Sequence, residues 1–539
     1  MPRSPLLSSL QQMAENHRIA REKNVSVATV QDWRIEASAR RGITRRQLMA
    51  GGGAALAAAT LLGANKARAA SNATIAIVGG GIAGLSCALQ LADRGHASTV
   101  YEANPTRVGG RMHSNPGYFA NGQVNELCGE LIDTGHLTIR RLASRFNLPV
   151  VDLINAEAVG STDTFFFFNQ YYPRAQANDD FLPVWDVLQS QIHAAGYPTT
   201  FAIQNDAGRA LDDISVYDWI ERYVPGGHQS PMGAMLDVAY TEELAVDSRL
   251  QSSLNLVYLL GYQKQFHVFD MFGISDERFH IEGGNERLPQ AIAGALAPDV
   301  VQKGFALTAL RKSAAGRYTL SFAGKPDVTT DYVVLALPFS ILRTLDIAGA
   351  GFDDRKNYTI QNLGAGKSGK LALQFNDRLW TQPGPWGTSN GNTYSDTGYM
   401  NTWEVTRAQP GATGILVDYT GGPASIAMRT TLAYGDASNA KVLQDANTFL
   451  GRLEHVLPGI SARWNGRASS SLPHLDPNLK LSYSHWKTGQ YQLIAGYEGV
   501  RQANCLFAGE HTSVDFQGFM EGGASSGQIA ANVIANELK

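Results

Sequence analysis

The chain has 539 residues, of which 44% are hydrophobic and 17% are charged, a composition typical of globular enzymes rather than of disordered or fibrous chains. The net charge is −3, and no basic run follows the first 70 residues, so the sequence does not indicate a nucleic-acid-binding protein. The 3 cysteines are scattered and no HExxH or CxxC pattern occurs, which argues against a disulfide framework and against a metal site.

Residues 1–70 have the features of a targeting segment. The pattern TRRQLM at 44–49 contains twin arginines, a mildly apolar stretch follows at 49–63, and ARA at 67–69 offers a small-x-small cleavage site. The apolar stretch is too weak for a membrane-spanning helix, which needs about 20 apolar residues. We therefore expect twin-arginine export to the periplasm or beyond and no integral membrane segment. A disordered basic leader on a cytoplasmic protein is the alternative, favoured by the unusual length before the arginines.

The first elements predicted after this leader form a βαβ unit. Residues 74–78 are a continuous apolar run, typical of a strand buried on both faces. A glycine loop at 79–84 follows, then a helical pattern to Arg94 that Gly95 ends, and residues 98–102 form a second strand.

The glycine loop predicts a dinucleotide site. Gly79 permits a tight turn, Gly81 lets the backbone approach a pyrophosphate, and Gly84 lets the helix pack on the strand. The phosphates would lie at the positive end of the helix. Glu102, at the end of the second strand, is placed to accept from both ribose hydroxyls. The neighbouring candidate contacts are Ile82, Ala83 and Ala103. A merely tight strand–helix turn is the structural alternative.

The remaining elements are less regular. Residues 145–275 read as helical and aromatic, with a strand near 165–172, and 329–338 read as a buried parallel strand. Polar and apolar residues alternate over 370–375, which favours a half-exposed or cavity-lining strand. The segment 387–407 is rich in Gly, Asn and Thr and is expected to be mostly loop. The chain closes with a strand at 505–508 and a helix from about 520 to 538.

Three further motifs carry a family resemblance. Residues 107–112 read RVGGRM, so that Gly110 and Arg111 can lay backbone and guanidinium against phosphates or the flavin edge. Residues 507–512 read FAGEHT, and 518–524 read GFMEGGA. With GGNERLP at 283–289, this set resembles the flavoprotein amine-oxidase family, which includes monoamine, polyamine and L-amino acid oxidases, over most of residues 72–537. The resemblance implies FAD rather than NAD as cofactor.

The resemblance also implies a fold and a division of the chain into domains. It is an α/β fold with a Rossmann-like FAD-binding domain of the GR2 type, built from discontinuous segments, a mixed-sheet substrate domain and a helical insertion. After the leader, the implied division is FAD-binding segments at 71–142, 276–345 and 486–539, a helical substrate domain at 143–275 and a β-sheet substrate domain at 346–485.

The resemblance assigns the remaining cofactor contacts. Glu510 would bond the ribityl chain, and the N–H groups of the helix that begins near Met520 would face the pyrimidine edge of the isoalloxazine and stabilise its negative charge when reduced. Leu307 matches the family's apolar adenine contact. His511 and Glu521 are expected to be structural. The other implied contacts are Gly129, Glu130, Gly509, Gly518 and Phe519.

The resemblance also implies a reactive site. Lys370 lies where the family keeps a lysine that holds a water beside flavin N5, with Lys367 as the competing assignment. Tyr491 and Phe519, the latter next to Gly518, resemble the aromatic pair that encloses the substrate amine. Trp486 is a further candidate wall. Monoamine oxidases carry a flavin-bound cysteine just before the first aromatic; here Gln490 stands there, so the FAD should be non-covalent.

The substrate class is less determined. The pairing of GGRMHS with NELCGELID looks most like bacterial L-amino acid oxidases, which implies oxidation of an L-amino acid to 2-oxo acid, ammonia and hydrogen peroxide with O2 as acceptor. Leu131 stands where better-known L-amino acid oxidases have a carboxylate-binding Arg, so the resemblance supplies no arginine anchor for a substrate carboxylate. Tyr394 and Tyr399 are candidate hydroxyl donors. Alternatives are a primary amine or polyamine oxidase, an NAD-dependent dehydrogenase and a non-catalytic flavin-binding subunit. A homo-oligomer is compatible with the sequence.

Overall fold

The computed structural model describes residues 73–265 and 268–538. The leader at 1–70 therefore lies outside the described residues. Within the described residues, no helix combines the length and hydropathy needed to cross a bilayer. The same part of the chain contains no group of three or more His, Cys, Asp or Glu side chains arranged to hold a metal ion.

A five-stranded parallel sheet forms the base of the half that contains the glycine loop. Its order is β22-β13-β1-β2-β9. Its strands are β1 (Ile75–Val78), β2 (Thr99–Glu102), β9 (Val301–Lys303), β13 (Tyr332–Leu335) and β22 (Cys505–Phe507). The buried strands predicted near 74–78, 98–102, 329–338 and 505–508 are thus confirmed. Because β1 lies between β13 and β2, chain segments far apart in sequence meet beside the glycine loop.

An eight-stranded mixed sheet forms the second half, in the order β19-β20-β15-β18-β17-β16-β6-β7. Its strands are β6 (Thr162–Phe167), β7 (Gln170–Tyr171), β15 (Ser368–Phe375), β16 (Ser389–Ser395), β17 (Asn401–Glu404), β18 (Gly414–Gly421), β19 (Tyr434–Asp436) and β20 (Trp464–Ser471). Only the β16–β6 pair among these is parallel. β15 lies between β18 and β20, deep inside the molecule.

Smaller strand groups connect the two halves. A three-stranded antiparallel sheet comprises β10 (Leu307–Lys312), β11 (Tyr318–Phe322) and β12 (Val328–Thr330). The two-stranded pairs are β3 (Ser114–Asn115) with β4 (Asn125–Glu126), β5 (Val150–Asp152) with β8 (Phe279–Ile281), and β14 (Gly364–Ala365) with β21 (Ser484–His485).

The helices cover both sheets. Those from Arg174 to Leu260 form the helical region that the sequence predicts. The α-helices are α1 (Ile82–Asp93), α2 (Leu137–Arg145), α3 (Arg174–Ala195), α4 (Asp206–Asp212), α5 (Val216–Tyr223), α6 (Pro231–Glu243), α7 (Ser253–Leu260), α8 (Arg287–Ala295), α9 (Phe339–Leu342), α10 (Asp354–Asn362), α11 (Pro423–Ile426), α12 (Ala440–Leu453), α13 (Gln490–Leu493) and α14 (Met520–Glu537). The last helix, α14, packs along α1.

One predicted element differs in the structure, and for another the structure decides between two alternatives. The strand at 370–375 is the cavity-lining one of the two predicted kinds and not half-exposed, since every residue of β15 is buried. Its Leu371 face joins an apolar core under α12, while Lys370 on the other face lines a cavity. The segment 387–407 is not mostly loop but contains β16 and β17. The sequence pattern concealed them because their buried side chains are polar and bond to one another, as Thr393 does to Thr402 at 2.8 Å.

Candidate active site

The glycine loop between β1 and α1 forms the first wall of a cavity between the two sheets. Gly79 has a φ of +108°, and a Cβ on it would lie 2.6 Å from the Ala336 carbonyl oxygen, so only glycine fits. A Cβ on Gly84 would collide with the Gly79 carbonyl, which explains the close approach of helix and strand. The first N–H groups of α1 have no side-chain cap and are free to receive a phosphate. The wall here comprises Gly79, Gly81, Ile82 and Ala83.

Glu102 ends β2 at the wall of the same cavity. Its carboxylate accepts hydrogen bonds from Gly80 N at 2.6 Å and Asn104 N at 2.7 Å. Burial raises the pKa of Glu102, and the two backbone hydrogen bonds only partly offset that rise. Ala103 and Leu307 line the cavity nearby. The carboxylate can accept hydrogen bonds from a ribose, and the apolar wall beside it can contact an adenine ring.

The RVGGRM segment packs directly on the glycine loop. Gly109 N donates to Gly80 O at 2.8 Å. The Arg107 guanidinium donates to Gly110 O at 2.7 and 3.0 Å and so fixes this backbone. Gly110 and Arg111 line the cavity opposite Gly81.

Arg111 and Glu510 join the two ends of the described chain at the cavity. Arg111 Nη1 lies 2.8 Å from Glu510 Oε1. Glu510 also accepts from Ser484 N at 3.2 Å and Gly518 N at 2.9 Å. Burial acts to raise the pKa of Glu510, but the charge of Arg111 and these hydrogen bonds hold it below its ordinary value. Glu510 is therefore a charged residue at the place where the resemblance expects a ribityl contact.

The start of α14 also faces the cavity. The helix begins after Phe519, which supplies no side-chain cap, and Phe519 and Met520 line the cavity. Glu521 points elsewhere, because its carboxylate accepts from Thr138 N and Ile139 N at 2.9 Å and so caps α2. The free N–H groups of α14 leave a positive pole directed at the cavity.

His511, the other residue expected to be structural, is buried in the cavity wall. Its ring lies 4.4 Å from that of Phe339. Neither ring nitrogen has a hydrogen-bond partner within the described part of the chain. Burial lowers the pKa of His511 to about 4, so it is a neutral ring at physiological pH.

Lys370 reaches the cavity from β15, whereas Lys367 is exposed and does not line it. Lys370 Nζ lies 2.7 Å from Glu130 Oε2 and 2.8 Å from Cys128 O. Glu130 Oε1 in turn accepts from Trp403 Nε1 at 3.0 Å. The ammonium is therefore buried, oriented by fixed partners and open to the cavity.

The predicted aromatic pair is not assembled. Phe519 lines the cavity, but Tyr491 and Trp486 do not. Their rings pack together at 4.5 Å in the core, and the Tyr491 hydroxyl donates to Asn255 Oδ1 at 3.0 Å. The cause is local: α13 begins directly after Gly489 and turns Tyr491 towards α7. The assignment of Tyr491 and Trp486 to a substrate cage is therefore corrected.

Other aromatic residues lie beside Lys370, and no sequence motif indicated them. Trp403, Tyr419 and Tyr483 line the cavity near Lys370. The Tyr419 and Tyr483 hydroxyls lie 2.7 Å apart, and the Trp403 and Tyr419 rings 5.1 Å apart. Tyr419 is the cross-strand neighbour of Lys370. Because strand pairing brings them together, no spacing along the chain could have indicated this group.

Three carboxylates, also missed, line the same end of the cavity; Glu242 is buried, and Glu243 and Glu277 are half-buried. Glu242 and Glu243 end α6, and Glu277 lies just before β8. Burial raises the pKa of Glu277 to about 8 and, with help from neighbouring carboxylates, raises those of Glu242 and Glu243 well above their ordinary values. Adjacent glutamates at a helix C-terminus, where the helix dipole disfavours negative charge, were the available signal.

The residues present fit FAD. The cavity encloses about 410 Å³ and runs from Glu102 and Leu307, past two uncapped helix starts, to Lys370. Apolar and carboxylate groups suit the adenosine end, free N–H groups suit the pyrophosphate, and the positive pole of α14 suits the flavin ring. The remaining predicted contacts on the wall are Gly129, Glu130, Leu131, Gly509 and Gly518.

Comparisons with known proteins agree with this geometry. A family model described as flavin containing amine oxidoreductase matches residues 82–535. An L-amino-acid oxidase of Siganus canaliculatus is 23% identical over 468 residues, covering 81% of each chain. One from Echis ocellatus is 24% identical over 332 residues, covering 58% of this chain and 60% of its own.

Solved structures share the fold. Putrescine oxidase bound to putrescine superposes with a TM-score of 0.71 at 16% identity, covering 86% of this chain and 99% of its own. Cyclohexylamine oxidase from Brevibacterium oxydans gives a TM-score of 0.73 at 20% identity, with the same coverage. The Rossmann-like fold expected from the sequence is thereby confirmed.

Proposed function

Since this chain belongs to the family of flavin-containing amine oxidoreductases, we propose that it is an FAD-dependent L-amino acid oxidase. It would convert an L-amino acid to a 2-oxo acid, ammonia and hydrogen peroxide. The observation that carries the oxidase assignment is the single cavity that joins a dinucleotide-binding loop to a buried, oriented Lys370. The names of the curated relatives support the amino acid class.

FAD, when bound, supplies the chemistry: it accepts hydride from the substrate carbon and passes the electrons to O2. The residues of the chain bind and orient it. Glu102 would hold the ribose, the starts of α1 and α14 would hold the pyrophosphate and the flavin ring, and Arg111 would position Glu510.

Lys370 would hold the water that the reaction consumes. Its ammonium keeps a fixed direction because Glu130 Oε2 and Cys128 O accept two of its three N–H bonds. The third N–H has only a long contact, 3.5 Å to Glu126 O, so it can instead donate to a water, whose lone pair is then directed at an imine carbon. Trp403, 5.2 Å from Nζ, shields this group from bulk water.

Phe519, Trp403 and Tyr419 would enclose the substrate amine. Apolar and π surfaces disfavour a fully hydrated ammonium relative to the neutral amine, which is the form able to lose hydride. No separate general base is required by this arrangement.

A primary amine or polyamine oxidase is the second candidate, and one observation favours it. Leu131 lines the cavity, and the cations on its wall have partners: Arg111 and Lys370 each pair with a glutamate, and Arg107 donates to Gly110 O. A substrate carboxylate would therefore lack the free arginine that usually binds it. Gln517, whose buried Nε2 lacks a partner among the described residues, is the donor on the cavity wall that could replace it.

A peroxide-coupled screen of the purified flavoprotein tests both candidates. L- and D-amino acids, monoamines and polyamines are supplied separately, and peroxide and flavin bleaching are measured. Peroxide with L- but not D-amino acids supports the first proposal. Peroxide with amines alone replaces it by the second. Protein that is colourless even after reconstitution with FAD would refute both.

We also propose that the leader at 1–70 directs twin-arginine export of the folded, FAD-loaded protein. Arg45→Lys with Arg46→Lys should then retain the protein in the cytoplasm, measured by fractionation and immunoblot. A double variant that reaches the periplasm as wild type does would contradict the proposal. Arg40→Lys with Arg41→Lys is the matched control.

A further inference from the structure

The cavity continues past Lys370 along one row of the eight-stranded sheet. Lys370 of β15 is paired with Tyr419 of β18, and Tyr419 with Asn401 of β17. Directly paired residues point to the same face and lie about 5 Å apart, so the row extends about 10 Å from Lys370 to Asn401. All three side chains line the cavity. We call the space over this row the distal chamber.

Carboxylates that lack a partner among the described residues line the distal chamber. They are Glu242, which is 2% exposed, and the half-buried Glu243 and Glu277. Their carboxylates form no hydrogen bond or ion pair with any residue that the structure describes. The charge of Lys264 acts on Glu277, but the two are not within ion-pair distance. Without a counter-charge these groups favour the protonated form, and a bound cation would stabilise their ionised form.

A second acceptor in the chamber is uncharged and independent of that cluster. Asn401 is 4% exposed, and its Oδ1 has no donor within the described residues. The nearby tyrosine hydroxyls are not available as donors to Asn401. Tyr419 and Tyr483 bond to each other, and Tyr483 donates to Glu242 O at 3.0 Å. Acceptors thus outnumber donors around this space, and an ammonium or guanidinium would supply the missing N–H groups.

We propose that the distal chamber binds a second cationic group of the substrate, at the end remote from the amine that is oxidised. The inference rests on the proposed function, since it concerns the same cavity. The shared chemistry is a positively charged nitrogen carried on an aliphatic chain. It is found in the side chain of a basic L-amino acid and in the far end of a diamine.

Matched substrate pairs test the proposal and distinguish the two sources. L-lysine is compared with L-norleucine, and cadaverine with pentylamine; each pair differs by one amino group. We expect kcat/KM to be at least 10-fold higher for the dicationic member of the pair that is oxidised. A preference for lysine identifies the amino acid source, and a preference for cadaverine the diamine source. Equal or higher kcat/KM for the neutral-tailed members would overturn the proposal.

Isosteric variants assign the effect to the chamber. Glu243→Gln and Glu277→Gln each keep their size but lose the charge, and each should lower the ratio of kcat/KM between the paired substrates several-fold. Glu282→Gln removes an exposed charge near the same strand and serves as control. Ratios that stay at the wild-type value in both chamber variants would contradict the assignment. Flavin absorbance confirms that each variant is folded and loaded.

The failure of this inference is distinct from the failure of the proposed function. If no compound of the wider screen and no member of either pair bleaches the flavin anaerobically, while FAD is bound, the oxidase proposal itself fails. If both members of a pair bleach it with equal efficiency, the oxidase proposal stands and only the distal chamber assignment is lost.

Discussion

At the scale of single residues, Lys370 is the side chain on which the chemistry depends most. Lys370→Met removes the ammonium but keeps much of the aliphatic volume. We expect peroxide production at saturating substrate to fall by about 10²-fold or more, the usual contribution of a positioned proton-transfer or water-holding group. Stopped-flow measurement of the two half-reactions, with flavin content by absorbance, checks this.

The effect of Lys370→Met on the free energy of unfolding must be separated from its effect on turnover. Removing Lys370 leaves Glu130 buried without its ion-pair partner, which typically costs about 3–5 kcal/mol. Lys370→Met with Glu130→Gln should regain thermal stability without regaining turnover. Lys367→Met, which alters an exposed lysine nearby, is the matched control. Normal turnover in Lys370→Met would remove Lys370 from the mechanism.

His511 makes a pH-dependent contribution that can be isolated. Its folded pKa of about 4 lies below the ordinary 6.5, so between these values the unfolded chain binds a proton that the folded chain does not. The free energy of unfolding should therefore fall as pH drops from 6.5 to 4, by at most about 3 kcal/mol from this residue.

His511→Phe keeps a ring beside Phe339 and removes the titration. Its unfolding free energy, from urea titrations at several pH values, should decline less steeply than that of wild type between pH 6.5 and 4. His193→Phe, at an exposed position, should retain the wild-type slope. Parallel curves for wild type and His511→Phe would show that His511 titrates alike in both states.

Residues whose role follows from local backbone chemistry were found from the sequence. Gly79, Gly84 and Glu102 occupy a fixed pattern of strand, turn and helix, and each lies where that pattern requires. Tyr491 was assigned wrongly and Glu242 was missed, because the direction of each side chain depends on tertiary packing. Helix α13 turns Tyr491 into the core, and the end of α6 brings Glu242 to the cavity.

At the scale of elements, the contact between α1 and α14 carries the cofactor site. A Cβ on Gly527 of α14 would collide with the carbonyl oxygen of Ala83 in α1. Gly527→Ala should therefore force the helices apart, at a cost of about 1–3 kcal/mol, and weaken FAD binding because both helix starts face the cavity. Thermal unfolding and FAD titration measure the two effects.

Gly451 of α12 provides a matched control. A Cβ there would meet nothing within 4 Å, so Gly451→Ala changes helix propensity alone. It should stabilise the protein by about 0.5–1 kcal/mol. If Gly527→Ala behaves like Gly451→Ala, the close approach of α1 and α14 does not limit the site.

Elements with a strong hydrophobic pattern were predicted well, and polar ones were not. β1 and β13 are continuous apolar runs and were recognised as buried parallel strands. β16 (SNGNTYS) has no apolar alternation, yet six of its seven residues are buried. Its side chains satisfy each other across strands, and that information is not contained in any single segment.

At the scale of the whole molecule, segments far apart in the chain meet around one cavity. Arg111 and Glu510 are separated by 399 positions and form one ion pair, and β22 completes the sheet that β1 begins. The sequence motifs predicted this closure because both ends resemble flavin-binding segments. The order of the eight-stranded sheet, and with it the distal chamber, could not be predicted, because cross-strand pairing has no local signature.

The residues that meet around this cavity also predict how FAD is held. Gln490, which the resemblance aligned with the flavin-bound cysteine of monoamine oxidases, lies outside the cavity like Tyr491 and donates to Asn362 O at 2.8 Å, and Cys87 and Cys505 do not line the cavity either. FAD should therefore leave the protein when acid precipitates it, giving a yellow supernatant and a white pellet. Cys128 does line the cavity, so a yellow pellet in wild type that turns white in Cys128→Ser would reveal a thioether at that residue instead.

A cofactor bound only by contacts must also stabilise the fold by mass action. Because FAD would bridge the N- and C-terminal segments of the described chain, it binds the folded state alone, and at a concentration 100 times its Kd it adds about 2.7 kcal/mol. Stripping FAD should lower Tm by several degrees, and adding FAD should restore it in a concentration-dependent way. NAD, which lacks the flavin ring that α14 faces, should not. An unchanged Tm after FAD removal would mean that the two chain ends close without the cofactor.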